Sequence, residues 1–339
     1  MKWPRLVNRF VRGGLVFSLQ CLVVFACSIS GIPGIGGPSL VKIYAATANG
    51  FSFSESNGTS WDNFTTAQGL PTNVVNGLFV VNTGTFATVY AATTGGLSAT
   101  TTTGTSWSTL LPGISTNGVS VIGSGSAASI YVATSAGLQI STDGGGSWLP
   151  TAALSPTPIS DVVVVGFSVY AAVSGNGTSN GLQVSLDGGN TWTQYTPTGS
   201  ATNNVFGVFD DGINAYAATD AGLFVAPNTS LTTWTQVLSG VIQGVYVLGG
   251  LGGSIYAATN GGLSVSTTSG ASWTTYTTAN GLGSNTVRGV YAVSTTVGTF
   301  IYAATTGGIS ISLNGGATWK NYTTTSGLGS NTVNGVSAQ

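Results

Sequence analysis

Ile301-Tyr302-Ala303-Ala304-Thr305-Thr306-Gly307-Gly308-Ile309-Ser310-Ile311-Ser312-Leu313-Asn314-Gly315-Gly316-Ala317-Thr318-Trp319 is the stretch on which the reading of this chain turns. Ile301 to Thr305 is a short run of β-favouring residues closed by a Gly-Gly turn signal. Gly308 to Ser312 alternates apolar and hydroxyl side chains with period two, the pattern of a strand. Asn314-Gly315-Gly316 is a second turn, and Trp319 opens a fourth strand running to Tyr322. Upstream, the Val-rich run Val287 to Val293 reads as the first strand of the same unit.

The unit recurs. Tyr44, Tyr90, Tyr131, Tyr170, Tyr216, Tyr256 and Tyr302 each stand in a Tyr-Ala-Ala-Thr-like element, spaced by 46, 41, 39, 46, 40 and 46 residues. Trp61, Trp107, Trp148, Trp192, Trp234, Trp273 and Trp319 follow them, at 17 residues in five copies, 18 in one and 22 in the fourth, where Ser174 to Asn180 is inserted. Four short strands in roughly 40–45 residues match one blade of a β-propeller. The body begins on a second strand at Ile43 and ends on a lone first-type strand around Val333. We therefore expect an all-β, seven-bladed β-propeller closed by the C-terminal strand joining the first blade, which removes the free edges of an open sheet. A solenoid of stacked repeats is the competing architecture. The alanine pairs are read as allowing neighbouring blades to approach closely near the axis.

Composition agrees with a turn-rich β protein. Of the 339 residues only 4% are charged, against roughly 25% in an average chain, and there are 52 glycines and no histidine. Lys2, Arg5, Arg9 and Arg12 precede an apolar run from about Leu15 to Ala26, the pattern of an export signal. Its removal leaves Lys42, Arg288 and Lys320 against eight carboxylates, a net charge of −5 that argues against a nucleic-acid partner. Both cysteines, Cys21 and Cys27, lie in or beside that segment, so the body has no disulfide framework.

The run Val24-Phe25-Ala26-Cys27 resembles a bacterial lipobox, which makes Cys27 the candidate lipidation site; Phe25 departs from that pattern. Ordinary signal cleavage and an uncleaved anchor are the alternatives. Residues 1–27 are thus assigned to a signal or lipoprotein signal peptide, 28–42 to a Gly/Pro-rich tether and 43–339 to the propeller. The expected location is the cell envelope, as an outer-membrane or surface lipoprotein, or the extracellular space.

Before several tryptophans stands a Ser-x-Asp-x-Gly-x-Ser/Thr-Trp box: Ser141, Asp143, Gly145 and Trp148; Ser185, Asp187, Gly189 and Trp192; and an Asn variant with Asn314, Gly316 and Trp319. This resembles the Asp-box (BNR) repeat of sialidase-like and sortilin-like propellers. The resemblance implies a hairpin between the third and fourth strands, with a structural role for these residues. Gly69-Leu70-Pro71-Thr72-Asn73-Val74-Val75, Gly281 to Val287 and Gly327 to Val333 resemble a link of two-component-regulator propellers, which implies the same fold. Both resemblances are nearly silent on function, because this fold hosts many activities.

Sialidases of this superfamily need an arginine cluster, and only Arg288 remains beyond the signal. Xyloglucan-cleaving relatives use paired carboxylates, as glycoside hydrolysis requires. The corresponding weak candidates are Asp161, Asp210 and Asp211, which flank inner-strand positions one blade apart; a turn and a strand start are their plainer readings. Serine or cysteine nucleophile chemistry lacks its histidine base. No cofactor and no metal site is expected. The reading is a non-enzymatic binding or scaffold module for a protein or neutral polysaccharide at the cell envelope, with membrane contact only through the N-terminal lipid or anchor. A glycoside hydrolase, and a self-associating surface subunit favoured by the low charge, are the alternatives.

Overall fold

The computed structural model describes residues 41–84, 87–174, 180–197, 203–250 and 252–339. The signal segment with Cys27, most of the tether and the middle of the Ser174–Asn180 insertion lie outside them. Seven four-stranded antiparallel sheets make up the fold. We number them as blades 1 to 7 in chain order. The innermost strands of blades 2 to 7 are Val75–Asn82, Thr116–Ile122, Ile159–Val165, Val205–Asp210, Ile242–Leu248 and Val287–Thr295. Blade 1 takes its innermost strand from the other end of the chain: Val333–Ala338 pairs antiparallel with Ile43–Thr47. Lys42 and Gln339 exchange backbone hydrogen bonds of 2.8 and 2.9 Å beyond that ladder. The ring is closed as expected.

Sequence and strand bounds differ in small ways. The inner and second strands of blade 7 run two and three residues further than the hydrophobic pattern suggests, to Thr295 and from Gly298. The outer strand begins at Lys320, because Trp319 turns aside to pack between blades. Five single-turn 3-10 helices also stand among the described residues, too short for a sequence period to reveal.

Packing explains the repeated residues. The two alanines of each second strand alternate faces, so Ala45 joins the cluster shared by blades 7 and 1 while Ala46 joins that of blades 1 and 2. With only a methyl on each face, two blades approach closely one strand out from the axis. Thr47, Thr93, Thr134, Thr219, Thr259 and Thr305 donate from Oγ1 to the carbonyl three residues on, at 2.6–2.8 Å, and fasten the turn to the third strand. Each tryptophan then fills the gap to the preceding blade; Trp107 meets Phe51 edge-on at 5.2 Å. Seven apolar clusters, one per junction, form the core.

Candidate functional site

Every inner strand begins with the same irregularity. The ladder shifts register across Asn76, Asn117, Ser160, Phe206, Gln243 and Arg288, one per blade, and across Asn334 in blade 1. A bulge residue is left out of pairing and its side chain is re-aimed. These seven side chains converge on the axis and line one open cavity of about 410 Å³ at the upper end of the central channel.

The rim is a partly stitched ring. Asn334 donates from Nδ2 to the Val75 carbonyl (2.7 Å), Asn76 to that of Thr116 (2.8 Å) and Asn117 to that of Ile159 (2.7 Å), each bond crossing to the next blade. Arg288 Nη1 donates to Asn334 Oδ1 at 3.1 Å. Ser160 bonds instead to Ser174 within its own blade. Phe206 and Gln243 are half-buried, whereas Arg288 is exposed. One wall of the mouth therefore presents fixed amides, and the other an aromatic face, a primary amide and a guanidinium.

The residue after each bulge is glycine in six blades, and the reason is proximity. A Cβ on Gly77 would stand 2.8 Å from the Asn117 carbonyl, and one on Gly244 3.3 Å from that of Arg288. Blade 4 departs from the pattern with Asp161. Its carboxylate accepts from Val162 N at 2.8 Å and from Val208 N of blade 5 at 3.1 Å. Burial pushes its pKa above the usual carboxylate value, with the two amide bonds pulling it partly back.

Of the three carboxylates singled out in the sequence, only Asp161 lines the channel. Asp210 and Asp211 stand at the lower end of the neighbouring inner strand. Asp210 Oδ1 accepts from Gly212 N (2.6 Å), and Asp211 Oδ1 accepts from the amides of Ile213 and Asn214. Asp211 Oδ2 accepts from the Tyr216 hydroxyl at 2.8 Å. Burial raises the Asp210 pKa, against hydrogen bonds from Tyr170 and Gly212. The structure thus places Asp210 at the strand's end and Asp211 in the turn after it, and does not bring them together with Asp161.

The boxes form tight hairpins at the lower face. Asp143 accepts from Ser141 Oγ (2.8 Å), Ser147 N (2.9 Å) and Ser147 Oγ (2.7 Å), and Ser141 Oγ in turn accepts from Gly145 N. Asp187 repeats this with Ser185 and Thr191. Hydrogen bonds hold both carboxyls down at about 2, led by the Ser147 hydroxyl for Asp143 and the Thr191 amide for Asp187. Asn314 makes the equivalent bonds without a charge. Trp148 Nε1 donates across to the Leu110 carbonyl of blade 2 at 2.9 Å, while Trp192 Nε1 donates to Gly189 within its own hairpin. Among the described residues no three His, Cys, Asp or Glu side chains gather in a group that could hold a metal ion.

No protein-family model and no curated protein matches the chain. Solved structures do. An ancestral GH74 enzyme aligns with a TM-score of 0.64 at 17% identity, over 85% of this chain and 45% of its own. The extracellular domain of a putative one-component system from B. thetaiotaomicron aligns at 0.61 and 16%, over 81% and 38%. YCF48 bound to D1 peptide aligns at 0.53 and 15%, over 89% and 91%. What they share with this chain is the fold. The chain spans less than half the length of the first two.

Rim residues were not singled out in the sequence. Their one signal is the residue-Gly-Val or residue-Gly-Leu step after the strand start in six of the seven blades, and only the ring shows that the first member of each step faces the axis.

Proposed function

We propose that this protein is a non-enzymatic binding scaffold, exported and held at the cell envelope, which takes a neutral polar segment of a protein or glycan at the upper mouth of its ring. One observation supports the reading above all: seven bulge side chains from seven blades converge on a single open mouth, and five of them carry an amide or hydroxyl. Amides donate and accept at once, so such a rim can follow a peptide backbone or sugar hydroxyls without charge pairing. Phe206 adds an aromatic face and Arg288 one cation, residue types enriched in protein interfaces. A propeller of this outline bound to a peptide, as in the YCF48 complex, accords with the peptide arm of the reading.

The test is capture of envelope proteins and of neutral glycans, each as a separate arm, by the protein and by its Phe206→Ala/Arg288→Ala variant. We expect one arm to bind and the variant to weaken it by tenfold or more, about 1.4 kcal/mol. Neither arm binding, or undiminished binding by a correctly folded variant, refutes the proposal.

A further inference from the structure

Nine large apolar side chains stand exposed among the described residues, and they are unevenly placed. The inner strands all start at the upper mouth, so turns after the first and third strands of a blade lie on the lower face. Seven of the nine are there, including the four most exposed: Phe167 at 80%, Leu149 at 70%, Leu186 at 66% and Val297 at 64%. Val74 and Val241, on the upper side, are each 37% exposed. Turn tips ordinarily carry Gly, Asn, Asp or Ser. In blade 4 two such tips are fastened together, with Gly188 N donating to the Phe167 carbonyl at 2.9 Å, so Phe167 and Leu186 project from one support.

The chain enters the fold on that same face. Val41 N donates at 2.8 Å to Asn57 Oδ1, in the lower hairpin between the third and outer strands of blade 1. Cys27 precedes Val41 by fourteen positions, a span of at most about 50 Å even fully extended. A membrane attachment at the apolar N-terminal segment would therefore tether the ring from its lower face and keep that face within reach of the bilayer at high effective concentration. Charge on this face is mostly negative: Glu55, Asp62, Asp143, Asp187 and Asp211 stand against Lys42, which pairs with Glu55 at 3.1 Å, and Lys320. The box carboxylates stay ionised well into acid. Such a face is repelled by anionic lipid and limited to shallow contact at the interface.

We infer that the lower face of the ring docks on a lipid surface with neutral headgroups, seating Phe167, Leu186 and Val297 at the interface and turning the channel mouth away from the membrane. The inference rests on the reading that the N-terminal segment holds the chain at a membrane. To test it, an environment-sensitive fluorescent amino acid is incorporated at position 167, 186 or 297, or at the upper-face positions 74 or 241, in the full chain. The protein is then mixed with phosphatidylcholine vesicles carrying nitroxide-labelled lipid and floated. We expect the protein to float, with a blue shift and lipid quenching at 167, 186 and 297, no change at 74 and 241, and weaker quenching when phosphatidylglycerol is added. Flotation with the lower-face probes unquenched overturns the orientation and leaves the attachment standing; failure to float overturns both. Quenching that rises with phosphatidylglycerol overturns the neutral-headgroup assignment. Probe-to-probe quenching between copies in lipid-free solution assigns the face to a second copy instead.

Discussion

Gly104 offers a measurement of how much blade-on-blade packing contributes. It sits buried in the lower hairpin of blade 2 at φ +110°, directly on the Phe64 ring of blade 1. A Cβ there would come within 2.4 Å of Phe64 Cδ2 and 2.8 Å of its Cγ. The ring cannot retreat freely, because Phe64 stacks on Phe51 at 6.0 Å and Phe51 is fully buried against Trp107. Gly104→Ala therefore carries two costs: about 1–3 kcal/mol for an alanine at positive φ, and about 1–3 kcal/mol of overpacking. Gly113, in the same blade at φ +80°, has nothing within 4 Å of its would-be Cβ, so Gly113→Ala carries only the first. The difference, about 1–3 kcal/mol, is the packing contribution. With an unfolding entropy of about 2.1 cal/mol/K per residue over roughly 300 residues, it corresponds to a Tm gap of about 2–5 °C. Thermal melts followed by near-ultraviolet circular dichroism, with urea titrations to confirm an unchanged m-value, measure it. Equal melting of the two variants would refute the claim that this hairpin is clamped against the preceding blade.

The carboxylates give predictions of opposite sign in separate pH windows. Asp143 and Asp187 are depressed to about 2 from 3.8, so the stability they contribute is present above pH 3.8 and lost as pH falls toward 2. Asp143→Asn/Asp187→Asn, which copies the natural Asn314 box, is expected to flatten that acid loss in a pH-dependent urea series; an unchanged acid limb counts against the hydrogen-bond account. Asp161 is raised by burial, so the folded state holds its proton more tightly and stability falls as pH rises from 3.8 through the higher folded value. Asp161→Gly, the residue of the six other blades at this position, is expected to remove its share of that decline, and a slope identical to that of the parent chain would show that the carboxylate is not desolvated.

The count of blades, the order of strands and the closing of the ring were legible in the chain, because each depends on local pattern repeated at fixed spacing. Tyr-Ala-Ala-Thr followed by Trp needs only period-two alternation and turn residues to be recognised, and a body starting on a second strand and ending on a first implies its own closure. The rim and the lower face were not legible. Asn76 and Arg288 lie 212 positions apart, and nothing local marks either as facing an axis. The bulge that aims each of them arises only when the strand meets its partner, and the circle that brings them together exists only once seven wedges have packed. Asp161 shows the same limit: a lone acid in the sequence becomes a blade-to-blade acceptor because the fold sets Val208 N before it. Sequence determined what each wedge is, since neighbours in the chain form it; tertiary structure decided which side chains share a surface, since residues from different wedges meet only through the symmetry of the ring.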